Sequence, residues 1–139
     1  MTQARVLQGD AIEVLGTLAP ESVHMVVTSP PFWGKRLYSG EQERVWPDGW
    51  RGGLGSEPTP ALFVAHIVEV FRAVWRVLRE DGVVFLELGD THASGGKWGG
   101  QLWQTIAGEG QDKGLPWRRA TADYHGLRPR NLVGIPHRV

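Results

Sequence analysis

The chain has 139 residues, of which 41% are hydrophobic and 22% are charged, a composition typical of one soluble domain rather than of a disordered or fibrous chain. It has no cysteine, which excludes a disulfide framework and a thiolate metal site. No apolar run approaches membrane-spanning length, and the N-terminus lacks a basic-then-apolar signal pattern. We therefore expect a cytoplasmic protein with no membrane or metal partner.

The formal net charge is zero, but the charges are distributed unevenly. Residues 1–112 carry nine Lys and Arg against fourteen Asp and Glu, whereas residues 113–139 carry six against one. Such a basic segment suits a phosphate backbone, although a basic cluster is commonly only a solvated face. Arg128 and Arg130 are its candidate nucleic-acid contacts.

The N-terminal residues predict a strand followed by a short helix. Residues 5–8 form the strand, and residues 11–18 form a helix that Asp10 caps, with Glu13 three residues later as in a capping box. A carboxylate at the end of a parallel strand also lies at the edge where α/β sheets bind ligands. Asp10 is therefore both a cap and a candidate acceptor for an adenine amine or a ribose hydroxyl.

The next strand leads directly into a proline-rich turn. Residues 23–27 are mostly apolar and predict a buried strand, which Ser29, Pro30, Pro31 and Phe32 follow closely. Each proline fixes φ near about −65° and lacks an N–H, so the turn is a stiff row of carbonyl acceptors. Ser29 adds a hydroxyl, and Phe32 adds a flat apolar face.

This turn suits an exocyclic amino group on a planar ring. The acceptors can take the amine hydrogens while the aromatic side chain stacks on the ring, and an amine held in this way can attack an electrophilic methyl group. Ser-Pro-Pro-aromatic also occurs by chance in proline-rich turns, so the motif alone is a hypothesis until its context fits.

Residues 33–58 and 93–130 predict long loops, because they are rich in glycine and show no sustained periodicity. In the first loop, Trp33, Lys35 and Arg36 are candidates to contact nucleic acid. The alternative, that the tryptophans Trp46 and Trp50 hold the loop against the core, has equal weight. The glycine-rich residues 95–100 predict a linker.

The clearest helix begins at Thr59 and Pro60, a cap followed by a proline at the first helical position. Its apolar residues recur at three- and four-residue spacing until Asp81 and Gly82 end it. His66 on this helix has no second ligand at metal spacing, which indicates a structural role. Residues 83–88 then predict a strand that is buried on both faces.

Alternating strands and helices are typical of an α/β fold with a parallel sheet. Asp10 follows the first predicted strand, Ser29 and the prolines follow the second, and Gly89 and Asp90 follow the third. We expect these three strand ends to open onto one edge of the sheet.

These segments, taken in order, resemble the N-terminal half of the DNA amino-methyltransferases of the permuted (beta) group, whose catalytic segment precedes the cofactor segment. The resemblance rests on residues 9–15, 22–34, 57–60, 76–82, 88–90 and 132–139. It is specific through the order of the set, since each piece alone is weak.

The resemblance implies a partial Rossmann-like fold and S-adenosylmethionine-dependent methylation of an exocyclic amine on a base flipped out of double-stranded DNA, as in restriction-modification. Ser29, Pro30, Pro31 and Phe32 match the catalytic motif. Serine at the first position favours cytosine N4 over adenine N6, and Phe32 keeps the stacking face of the usual tyrosine without its hydroxyl. The cofactor residues carried over are Asp10, Thr28, Gly89 and Asp90.

The Phe-x-Gly-x-Gly cofactor loop of this family does not occur in residues 1–139. The resemblance therefore implies the catalytic part of a truncated or split enzyme, with another chain as one source of the C-terminal half, or an incomplete gene product. Two alternatives stay open: an inert fragment that only binds nucleic acid, and an amine methyltransferase that acts on RNA or protein.

Overall fold

The computed structural model describes residues 3–34, 43–92 and 131–139. They form a mixed α/β structure that divides into two compact units. The first unit comprises Met1–Ser29 and Ile67–Glu87, and the second comprises Pro30–His66 and Leu88–Val139. No helix in the described ranges has the length and apolar character that a membrane crossing requires.

In the first unit, helix α1 spans Ala11–Gly16. Asp10 caps it as predicted, because its Oδ1 accepts hydrogen bonds from the backbone N–H of Ile12 (3.0 Å) and Glu13 (3.2 Å). The helix ends two residues before the predicted limit. The guanidinium of Arg76 donates to the Leu15 carbonyl in the last turn of the helix at 2.6 Å. It also donates to the Leu18 carbonyl, beyond the helix, at 2.9 Å.

The sheet of this unit consists, within the described residues, of two parallel strands, β1 (Val23–Thr28) and β4 (Leu78–Leu86). Thr28 pairs with Leu86, and the Thr28 carbonyl accepts from Glu87 N–H at 3.0 Å. The register is irregular near the start, where Val23 pairs with Leu78 but Met25 pairs with Val83. The prediction of a strand over residues 23–27 is confirmed, but its predicted burial is wrong, because Met25 is 56% exposed and Val27 is 70% exposed.

The predicted strand over residues 5–8 is wrong, because these residues are exposed and adopt no regular structure. Val6, for example, is 92% exposed. Four residues form a strand only where a neighbour pairs with their backbone, and no described segment does so here. Asp10 therefore follows an irregular segment rather than a strand.

The predicted burial of the last strand on both faces is also wrong for this chain. Val83, Val84, Phe85 and Leu86 are 37% to 60% exposed. A sheet of two strands has few neighbours to cover its faces, so the apolar run that predicted burial remains open to solvent in the described structure.

Helix α2 spans Pro60–Val77 and begins where the sequence predicted. Thr59 caps it by accepting the backbone N–H of Leu62 at 3.2 Å. Its core face is fully or nearly fully buried at Phe63, Ile67, Val74 and Val77. The helix ends at Val77 and passes directly into β4, four residues before the predicted break at Asp81 and Gly82.

The second unit contains a small antiparallel pair, β2 (Arg44–Val45) and β3 (Arg51–Gly52), within the first predicted loop. A short 3₁₀ helix, Ile135–His137, lies near the C-terminus. An isolated bridge joins His92 to Leu132. The glycine-rich linker and the second predicted loop lie outside the described residues.

Candidate functional site

The candidate catalytic segment, Ser29–Phe32, begins at the carboxyl end of β1. Ser29 is exposed, whereas Pro30, Pro31 and Phe32 are partly buried. Because each proline fixes its own φ, few contacts with other residues are needed to hold this segment in place. Those contacts come from two other parts of the second unit.

Gly89 supports the aromatic ring of Phe32. A Cβ atom at position 89 would lie 2.6 Å from Cδ2 and Cε2 of Phe32, well inside van der Waals contact. Only glycine leaves room for the ring in this position. The sequence placed Phe32 and Gly89 at the same edge of the sheet, and the structure brings them into contact.

Gly55 supports the backbone of the same segment. Its φ is +94°, a conformation that glycine adopts without strain. A Cβ atom there would lie 3.1 Å from the Phe32 carbonyl oxygen and 3.2 Å from Cβ of Pro31. The carbonyl of Gly55 also accepts the backbone N–H of Gly34 at 2.8 Å. Sequence reasoning assigned no role to Gly55.

Trp33 follows the segment and is only 6% exposed. Its indole Nε1–H donates to the Glu57 carbonyl at 2.8 Å, and its own carbonyl accepts from the Thr91 hydroxyl at 2.9 Å. The side chain thus fixes the segment to the interior of the unit. Its predicted contact with DNA stays a prediction.

The four predicted cofactor residues do not all belong to one unit. Asp10 and Thr28 belong to the first unit, where Asp10 caps α1 and Thr28 ends β1. Gly89 and Asp90 belong to the second unit. Their contact with a cofactor stays a prediction.

Asp90 binds the C-terminal segment of the chain. Its carboxylate accepts backbone N–H groups from Thr91 (2.7 Å), Gly134 (3.0 Å) and Ile135 (3.1 Å). Burial opposes ionisation of this carboxyl, but these hydrogen bonds, with a smaller contribution from His137, hold the pKa of Asp90 below its usual value. Asp90 therefore anchors residues 134 and 135.

Four of the predicted nucleic-acid contacts lie outside the described residues: Lys35, Arg36, Arg128 and Arg130. Of the tryptophans in the first loop, Trp46 is 3% exposed, and its indole N–H donates to the Gly52 carbonyl at 3.0 Å. Trp46 therefore holds the loop against the core, as the second of the two interpretations proposed.

A cluster of titratable side chains, which sequence reasoning missed, is formed by two residues of this loop and His66 of α2. His66 is 2% exposed, and its Nδ1 lies 3.0 Å from Oε1 of Glu57 while its Nε2 lies 3.2 Å from Oδ2 of Asp48. The ring of Trp46 stacks on the imidazole at 3.9 Å between centroids, and Trp50 stacks at 5.2 Å. We call His66, Glu57 and Asp48 the imidazole cluster.

The two carboxyl groups of this cluster differ in environment. Burial raises the pKa of Glu57, although hydrogen bonds to His66 and to the Gly55 N–H oppose the effect. The Trp50 backbone N–H donates a hydrogen bond to Asp48 at 2.9 Å and lowers the pKa of that carboxyl. Burial opposes this shift, and His66 reinforces it. No group in the described ranges has the arrangement of a metal site.

The chain aligns over nearly its whole length with known proteins. It is 32% identical over 139 residues to the Type II methyltransferase M.SmaI of Serratia marcescens, and that alignment covers all of this chain and 42% of the relative. M.XycI of Xanthomonas campestris pv. cyanopsidis is 35% identical, with 96% of this chain and 39% of the relative aligned. The chain is similar to Type II methyltransferases.

A third Type II methyltransferase, M.Cfr9I of Citrobacter freundii, is 31% identical over 98% of this chain and 40% of its own length. The chain thus spans about two fifths of the length of these relatives. No family model matches the chain, and no solved structure matches it.

Proposed function

We propose that the chain is the catalytic part of a Type II DNA methyltransferase, which methylates an exocyclic amine of a base flipped out of double-stranded DNA. One observation carries the proposal: the rigid segment beyond the carboxyl end of β1 is fixed by Gly55 and Gly89 while the Phe32 ring stays partly exposed. Similarity to Type II methyltransferases along the whole chain supports it.

In this proposal, the residues of the segment recognise the amine and the ring that carries it. Carbonyl oxygens around Pro30 and Pro31 accept the amine hydrogens, and the Ser29 hydroxyl adds a further acceptor. Phe32 stacks on the base, which offsets part of the few kcal/mol that flipping costs. Serine at the first position favours cytosine N4 over adenine N6.

S-adenosylmethionine is the proposed methyl donor, since it supplies an electrophilic methyl group. The described residues do not by themselves form a complete site for it. The carboxylate of Asp90 already accepts three backbone N–H groups, and that of Asp10 accepts two at the start of α1. We therefore propose that a counterpart of the region of the relatives that lies outside the alignment completes a Rossmann-like fold and most of the cofactor site.

The test is complementation. The chain is co-expressed with the part of M.SmaI that the alignment does not cover, and cellular DNA is digested and analysed for N4-methylcytosine and N6-methyladenine by mass spectrometry. Methylated cytosine is the expected product. DNA binding without methylation would instead support an inert nucleic-acid-binding fragment, and methylation of RNA or protein amines would support the other alternative.

Two substitutions test the segment within the complemented enzyme. We expect Ser29→Ala or Phe32→Ala to abolish methyl transfer without unfolding the chain, because both side chains are partly or largely exposed and serve the base rather than the core. Circular dichroism checks the fold, with Thr17→Ala as an exposed control. Retained turnover in both variants would refute the assignment.

A further inference from the structure

The imidazole cluster is connected to the candidate catalytic segment through Gly55, which Glu57 contacts. Glu57 is its most buried acid, with a fully buried side chain. Burying a carboxyl group is costly unless hydrogen bonds compensate, so the contacts that Glu57 makes indicate its role. They lead to two places, one within the segment and one at the residue that follows it.

The first place is the backbone of Pro31 and Phe32. Oε2 of Glu57 accepts the backbone N–H of Gly55 at 2.8 Å. Gly55 in turn packs against the Phe32 carbonyl and Pro31, where a Cβ would lie only 3.1 and 3.2 Å from their nearest atoms. The position of Gly55 therefore sets the position of the acceptor row.

The second place is Trp33. The backbone carbonyl of Glu57 accepts the Trp33 indole N–H, and Gly34 donates to the Gly55 carbonyl. His66 holds the other carboxylate oxygen of Glu57 at 3.0 Å, and the imidazole is itself fixed between Trp46 and Asp48. The buried carboxylate of Glu57 thus has a partner at each of its two oxygens, and such contacts restrain its position.

We infer that Glu57, oriented by His66, is a positioning residue that fixes the Pro31–Trp33 segment for base recognition. The role in base recognition rests on the proposed function. The contacts of Glu57 with Gly55 and Trp33 do not, and they can be measured in the isolated chain. Glu57 does not touch the base. It acts through Gly55 and Trp33.

The first measurement is ¹H–¹⁵N NMR of the full chain, in which the chemical shifts of the Gly55 amide and the Trp33 indole N–H are followed. The Trp33→Phe variant assigns the indole signal. In Glu57→Ala we expect both signals to move, because the amide loses its acceptor and the carbonyl beneath the indole shifts. In Glu57→Gln we expect both to stay close to wild type, since the amide oxygen still accepts from Gly55 and the NH₂ still reaches His66.

The matched control is Glu69→Ala, which removes a partly exposed acid from α2 that pairs with Arg72. It should move neither signal. Where Glu57→Ala fails to fold, Glu57→Asp replaces it, because the shorter acid keeps its charge but cannot reach both His66 and Gly55. Unmoved Gly55 and Trp33 signals in a folded Glu57→Ala or Glu57→Asp variant would overturn the inference.

The second measurement is turnover of the complemented enzyme. A displacement of about 1 Å in a catalytic group costs about 100-fold in rate, so we expect Glu57→Ala to lower kcat on that order. KM for DNA should stay unchanged, since phosphate contacts dominate affinity, and Glu57→Gln should restore kcat. A raised KM with unchanged kcat would contradict the inference.

The two measurements separate the two proposals. Moved NMR signals together with an inactive wild-type complex would reject the proposed function and support the contacts of Glu57. Unmoved signals together with an active wild-type complex would reject the role of Glu57 and support the proposed function.

Discussion

At the scale of single residues, two glycines carry much of the candidate site. Gly55 and Gly89 each occupy a place where any side chain would meet the catalytic segment. The two contacts differ, because position 55 faces backbone whereas position 89 faces the ring of Phe32. A side-chain ring can move, so a substitution at position 89 should alter geometry more than stability.

We expect Gly89→Ala to displace the Phe32 ring and to lower methyl transfer by the complemented enzyme. Overpacking costs about 1–3 kcal/mol where neighbours cannot move, and rotation of the ring should keep the thermodynamic loss at the lower end. Turnover and thermal unfolding measure the two effects.

A double-mutant cycle provides the control for this prediction. In a Phe32→Ala background the added methyl group meets no ring, so Gly89→Ala should then cost little stability. An equal loss in both backgrounds would show that the ring is not the contact that matters.

Asp90 gives a second prediction at this scale. Its pKa lies below the usual 3.8, so its carboxylate stabilises the folded state at pH values above 3.8, and this contribution is lost as the pH falls through the folded pKa. Asp90→Ala should weaken the attachment of residues 134 and 135 and remove that acid dependence.

Hydrogen exchange of the Ile135 amide, at neutral pH and at a pH below the folded pKa of Asp90, measures this effect after correction for intrinsic exchange. Wild-type protection should fall in acid, whereas protection in Asp90→Ala should be low at both pH values. His92→Gln, an exposed change in the neighbouring bridge, serves as control. Equal protection in wild type and Asp90→Ala would leave the carboxylate without this role.

At the scale of elements, α1 depends on its two ends. It has six residues, too few for a helix to be stable alone in water. Asp10 satisfies N–H groups at its start, and Arg76 satisfies carbonyls at and beyond its end. The helix is therefore held by side chains from outside its own span.

We expect Asp10→Ala to destabilise α1 by about 0.5–2 kcal/mol, the usual cost of losing a helix cap. Hydrogen exchange of the Ile12 and Glu13 amides measures it, with Asp10→Asn as the control that retains an acceptor. In the complemented enzyme, Asp10→Ala should also weaken S-adenosylmethionine binding. Unchanged affinity would leave Asp10 as a helix cap only.

At the scale of the whole molecule, the described chain has two compact units and an incomplete sheet. Its two strands leave Met25, Val27 and Phe85 more than half exposed. Exposed apolar strands with unpaired edges invite association with other chains. This surface is consistent with the proposal that a further region, like the one that the relatives have outside the alignment, completes the fold.

The basic C-terminal segment gives a prediction at the same scale. Replacing Arg128 and Arg130 by Ala should weaken duplex DNA binding and reduce the slope of log affinity against log salt by about two, since each phosphate contact contributes about one. Titrations at several salt concentrations measure it. Arg79→Ala, which removes an Arg paired with Asp81, is the control. An unchanged slope would identify residues 128 and 130 as part of a solvated face.

Elements with local signals can be predicted from the amino-acid sequence alone. Asp10 and Thr59 predict the starts of α1 and α2, because a helix cap acts on the next two or three residues. The apolar run in β1 is likewise a local pattern, and it predicts a strand. The segment Ser29–Phe32 was identified because two adjacent prolines constrain the backbone wherever they occur.

Which of these elements pair, and which residues support the site, depends on contacts between distant segments. Residues 5–8 had strand propensity but no neighbour, so no strand formed. Glu57 and His66 are nine positions apart, and Phe32 and Gly89 are separated by more than fifty, so no local pattern connects them. Such contacts depend on how distant segments pack together, and that packing is set by the whole fold rather than by any short stretch of sequence.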